Sequence, residues 1–210
     1  MVQKKFDVRQ CLFVVALFLG LLTLGCSDPK GEESSSSPEK PKEREDLGSL
    51  MGRLQGAVLD GDDELAISLA KRLFPTQQTL ALACSSSTHP AEYQQVSEWI
   101  EAVKPRDPTH YLKIYSFKSW QTEIIIASMT GEELAQIEAP EAKSKGFHPG
   151  AFKLARSGFL RPETEFSSVE FRKPGDQVGR RFEVFIWEAQ TKSWKMLGPV
   201  WRAVREKTDQ

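Results

Sequence analysis

Asparagine is absent from this chain of 210 residues, and cysteine and histidine occur only three times each. Without asparagine there is no N-x-[ST] glycosylation acceptor, and glycine, aspartate and proline are left to make the turns. His89, His110 and His148 lie far apart and lack metal-ligand spacing. HExxH, CxxC, GxSxG, P-loop and GxGxxG signatures are also missing, so neither the sequence motifs of common hydrolases nor those of nucleotide or cofactor binding are present. No cofactor is implied. Excess charge of one sign is missing too: 28 basic and 29 acidic side chains leave a formal balance of −1. Nucleic acid is therefore not an expected partner.

Long apolar runs are scarce. Residues 12–24 hold about 13 apolar positions, where a membrane-spanning helix needs about 20. Lys4, Lys5 and Arg9 precede the run against only Asp7, which is the layout of an export signal. The run closes on Leu22-Thr23-Leu24-Gly25-Cys26, and the chain turns polar at once. Residues 27–46 contain Ser, Pro, Glu, Lys and Gly with no aromatic or aliphatic side chain. Such a composition buries too little apolar surface to offset ordering entropy and predicts a disordered tether.

The stretch LTLGC resembles the lipobox of bacterial lipoproteins, in which the cysteine receives a diacylglycerol before cleavage. Gly25 and Cys26 match that pattern, while Thr23 and Leu24 depart from its commonest residues. The resemblance implies a signal peptide over residues 1–25, lipidation of Cys26 and a tether through residue 46. It further implies a cell-envelope location, periplasmic or surface-facing, with a palmitate-bearing anchor holding the protein to the membrane. Cys11 would leave with the signal, so Cys84 is the one thiol of the folded part, with no disulfide possible there. Its place in LALACSSS reads as a small buried apolar residue.

The folded part spans residues 47–205, with 206–210 as a tail. Leu47, Leu50, Met51, Leu54 and Val58 make one helical stripe, and Leu65, Ala66, Leu69, Ala70 and Leu73 a second. Asp60–Asp63 separates them and offers an N-cap. Thr76 opens a third helix and Pro90 a fourth, faced by Tyr93, Val96, Ile100 and Val103. In HYLKIYSF, Tyr111, Tyr115 and Phe117 alternate with Leu112 and Ile114, which predicts a strand paired with TEIIIASM. Thr130-Gly131-Glu132-Glu133 predicts a capping box, and HPGAFKLARSG another short helix. EFSSVEFRK, RRFEVFIWEA and SWKML predict a closing three-stranded meander. The fold expected is α+β, with N-terminal helices on one face of a curved antiparallel sheet of about five strands. This order resembles nuclear transport factor two-like and cystatin-like domains, a likeness of pattern alone.

The two halves differ in charge. Residues 47–140 carry seven basic and twelve acidic side chains, and residues 141–210 fourteen and nine. Arginines interleaved with Phe and Trp suit a small anionic ligand, or internal pairing with the acidic helices. His148 stands out in the glycine- and aromatic-rich GFHPGAF. Together with Arg161, Trp187, Trp194 and Trp201 it forms the candidate surface for a ligand or an envelope-protein partner. Trp187, central in its strand, is expected to be the best buried of the three tryptophans. The function expected is a non-catalytic binding or interaction module. A structural part of an envelope assembly is the alternative, and an enzyme using His148 or Glu170 as base is a third. No set of convergent polar groups supports a catalytic centre.

Overall fold

The computed structural model describes residues 44–138, 141 and 144–205. The lipobox, most of the tether and the tail lie outside the described residues. Helix α1 (Leu47–Asp60) buries Leu47, Leu50, Met51 and Leu54, and Gly61 closes it in the left-handed conformation. Asp62 caps α2 (Asp63–Leu73) through the Leu65 amide. Thr76 and Thr79 cap α3 (Gln77–Ala83) reciprocally. His89 caps α4 (Pro90–Val103), with Pro90 in its first turn.

HYLKIYSF departs from its expected form: residues His110–Ile114 are a short helix, α5. Tyr111 and Tyr115 are four apart, a spacing that suits one helical face as well as alternate strand positions. Both rings bury beneath α2, with Tyr111 edge-on to Phe74 and Tyr115 against Phe182. The sheet therefore has four strands rather than five.

Strand β1 (Glu123–Thr130) runs into α6 (Gly131–Gln136) through the Thr130/Glu133 capping box. Helix α7 (Pro149–Arg156) follows, then β2 (Glu165–Arg172), β3 (Arg180–Glu188), β4 (Ser193–Met196) and α8 (Trp201–Arg205). The strands lie antiparallel in chain order and the sheet is not closed. β1 pairs with β2 without a slip, from Glu123 opposite Arg172 to Thr130 opposite Glu165. β2 and β3 slip once: Ser167 faces Phe185 but Val169 faces Phe182, so β3 carries one extra residue. Val184 sits at that bulge with φ 60°, a backbone state that β-branched residues rarely adopt.

The fold is α+β, as expected, but helices cover both faces of the sheet. On one face α1, α2 and α5 bury Val169, Phe171, Phe182, Phe185 and Trp194. On the other α3, α4, α6, α7 and α8 bury Phe166, Val184, Ile186 and Leu197. The bulge accounts for Phe182 and Phe185 sharing a face despite their odd spacing. Cys84 bridges to Leu160 and is buried as expected. Burial pushes its thiol up to about 12, which leaves it unreactive at neutral pH.

Candidate functional site

An open cleft of about 690 Å³ lies where the first half of β3 meets α5, the start of α7 and the turn into α8. Its walls bring together Lys113, His148, Arg180, Arg181, Glu183 and Arg202. Glycine sets two of these positions. A Cβ at Gly179 would collide with the Phe171 carbonyl, so only glycine brings the chain this close to β2 before Arg180. A Cβ at Gly150 would run into the Trp201 ring. With that space open, Trp201 stacks parallel on His148, the ring centroids 5.0 Å apart. The His148 Nδ1 accepts the Gly150 N–H at 2.9 Å, fixing the ring as the N-cap of α7.

The cations differ in how firmly they are held. Arg180 donates to the Ile114 carbonyl at 2.9 Å and to Ser116, and lies over the Phe182 ring. Arg181 donates to Glu170 through Nε at 2.9 Å and through Nη2, while its Nη1 stands 3.9 Å from Glu183. Arg202 is exposed and enters no ion pair among the described residues. Lys113 is exposed and near Asp107. The expected pairing between the basic half and the acidic helices does not form at Asp60, Asp62, Asp63 or Glu64. The arginines of β2 and β3 that form ion pairs, Arg172 and Arg181, take Glu123, Glu170 and Glu183, all within the sheet.

Glu183 is the unusual group. It is 8% exposed, and burial raises its carboxyl to about 7 despite Arg181 and the His148 amide, which lower it. Its Oε2, like Oε1 of the buried Glu170, has no hydrogen-bond partner among the described residues. Buried polar atoms are nearly always satisfied, so two orphans beside one cleft need a reason. Glu183 lies inside the bulge, between the paired residues Phe182 and Phe185, where the regular ladder is interrupted.

Of the residues expected to form the surface, His148 and Trp201 meet in this cleft. Arg161 does not: it donates to the Cys84 and Ala81 carbonyls at 3.1 and 3.0 Å and closes the end of α3. Trp194 is 3% exposed, with its indole N–H on the Glu45 carbonyl at 2.7 Å, and offers no free face. Trp187 is only half-buried, less covered than Trp194 or Trp201, because it packs at the margin, edge-on to Trp194. Cys26 lies outside the described residues. Glu170 is committed to Arg181 and does not line the cleft. Glu183 and Lys113 were missed by the sequence reading. The signal for Glu183 was Arg181 and Glu183 two apart in an otherwise apolar strand.

Among the described residues no three His, Cys, Asp or Glu side chains are placed to hold a metal ion. No protein family, curated protein or solved structure matches the chain. The site stands on its geometry: cations, two stacked rings and one carboxyl that titrates near neutrality.

Proposed function

We propose that this chain is a lipid-anchored protein of the bacterial cell envelope whose α+β domain binds a small anionic ligand without catalysis. The observation that carries the binding reading is the gathering of Lys113, Arg180, Arg181 and Arg202 around one open cleft. Guanidinium groups suit carboxylate and phosphate through paired N–H donors, and a stacked imidazole–indole wall suits a planar or apolar part beside the charge. The anchor reading rests on the short apolar run that ends at Cys26 and gives way at once to polar sequence.

Each half has its test. Radiolabelled palmitate should enter the wild-type chain and not Cys26→Ser; equal labelling of both would end the anchor reading. Inorganic phosphate titrated calorimetrically should bind the wild type. Arg202→Glu, a change at an exposed side chain, should weaken that binding by about tenfold, or about 1.4 kcal/mol. Unchanged affinity would remove the cleft from consideration.

A further inference from the structure

We propose that the cleft and an apolar cavity beside it form one site for an anionic amphiphile, a molecule with a single phosphate or carboxylate head and a short hydrocarbon chain. This rests on the anion reading above and extends it to the rest of the ligand. The cavity has about 240 Å³ and is walled by Phe74, Trp99, Ile100, Val103, Tyr115 and Leu197 among others. Ile114, Met196, Gly198 and Pro199 line both spaces, so the charged cleft and the apolar cavity border the same strip of chain.

Three features point to that occupant. The cavity lining carries no charged side chain, and its one hydroxyl, on Tyr115, is directed at the Met196 sulfur at 3.9 Å. Water in such a space lacks the two to four polar partners it needs, whereas hydrocarbon loses nothing there. The cavity falls below the roughly 300–1,000 Å³ of sites that hold a whole small molecule. It suits one arm of a ligand whose remainder lies elsewhere. The adjoining cleft supplies the complementary charge: Arg202 enters no ion pair among the described residues, and Arg181 keeps Nη1 at 3.9 Å from its second carboxylate. Glu183 lines the same space, with its buried Oε2 unpartnered among the described residues. The volume of this cavity takes a short single chain.

The test uses the full chain in nanodiscs of a neutral phospholipid, with empty nanodiscs subtracting partition of the probes. Hexyl phosphate, inorganic phosphate and hexanol are titrated by calorimetry and by tryptophan fluorescence, since Trp99 lines the cavity and Trp201 the cleft. Hexyl phosphate should bind at least about tenfold tighter than inorganic phosphate, equivalent to about 1.4 kcal/mol, and also tighter than hexanol. Val103 stands exposed at the cavity mouth, so Val103→Glu is tolerated by the fold. It should abolish the advantage of the chain while leaving inorganic phosphate affinity unchanged. Inorganic phosphate binding as tightly as hexyl phosphate would overturn the amphiphile and leave the anion site standing. Binding of neither would overturn both. Hexanol matching hexyl phosphate would also overturn the proposal, because the head would then contribute nothing.

Discussion

The two ends of β3 both bury charge, and they treat it in opposite ways. At the far end Glu188 is 0% exposed and accepts from Thr79 at 3.2 Å, Thr76 at 3.3 Å and Thr191 at 2.5 Å. Beside it Lys195 donates to the Arg72 carbonyl at 2.8 Å. The anion therefore sits at the start of α3 and the cation at the end of α2, each where the helix dipole favours its sign. At the near end Glu183 and Glu170 each keep an oxygen unpartnered among the described residues, and Arg181 is shared between them. The satisfied end joins elements together, with Arg72 Nε its one orphaned side-chain atom among the described residues, and the unsatisfied end opens on a cleft. Burial of a charge thus does not by itself mark a site; an unfilled hydrogen-bonding capacity beside accessible space does.

Breaking the satisfied end should have the largest effect. Glu188→Ala removes an acceptor shared by three hydroxyls and leaves the Lys195 ammonium buried without its counter-charge. Loss of one member of a buried polar cluster costs about 3 kcal/mol. For a domain of this size that lowers the melting temperature by roughly 6–12 °C. Thermal unfolding followed by circular dichroism measures it. A shift under 2 °C, against the roughly 6–12 °C expected, would show that the network does not hold α2 and α3 to the sheet.

How far this contrast could be read beforehand depends on sequence distance. The caps at Asp62, Thr76 and Thr130 were legible, because a cap needs only a residue and the amides two or three positions on. HYLKIYSF was misread because a segment this short does not separate a period of two from one near four. Its form is decided by the burial of Tyr111 and Tyr115 against α2 and β3. The bulge at Val184 had no local sign, since register belongs to a pair of strands and not to either one. The same holds for the site. His148 was singled out from its glycine- and aromatic-rich surroundings, but its contact with Trp201 joins residues far apart in the chain. Arg161 fitted the expected surface by composition and turned out to serve the carbonyls of α3, a role set by tertiary position alone.

At the unsatisfied end the expected effect is smaller and reverses sign. Burial raises the Glu183 carboxyl from its ordinary value of 4.5 to about 7, against the pull of Arg181 and the His148 amide and with the Glu170 charge adding to the rise. A raised folded-state value means that the native protein binds the proton more tightly than the unfolded chain. The stability this contributes is complete below pH 4.5 and lost as pH rises through about 7. Glu183→Gln imitates the acid form at every pH. The variant should match the wild type near pH 4 and exceed it at pH 8 by on the order of 3 kcal/mol. Urea unfolding at the two pH values checks this. A variant less stable than wild type at pH 8 would mean that the ionised carboxylate is a net stabilising partner of Arg181.

The smallest effect sharpens where the satisfied end stops. Arg44, Glu45 and Asp46 were assigned to the tether, yet all three contact the domain. Arg44 pairs with Glu165 at 2.7 Å and lies 4.1 Å from the Trp194 ring centroid. Glu45 pairs with Arg72, the residue whose carbonyl receives Lys195. Asp46 accepts the Ser49 N–H at 2.7 Å and caps α1. Asp46→Ala should therefore cost about 1 kcal/mol, the ordinary value of an N-cap. Deletion of residues 27–43, which hold no aliphatic or aromatic side chain, should change stability by less than about 0.5 kcal/mol, the range of surface changes away from such features. The Asp46 effect carries its own control in pH. The hydrogen bonds from Ser49 hold its carboxyl below the ordinary value of 3.8, so the capping stability is present above that value and fades as pH falls through the lowered one. Urea unfolding at pH 7 and at pH 3 should show the wild-type advantage shrinking in acid. An Asp46→Ala cost that stays constant between the two would mean that the side chain supports α1 by some route other than its charge. A deletion of 27–43 as costly as Asp46→Ala would extend the satisfied end into the tether.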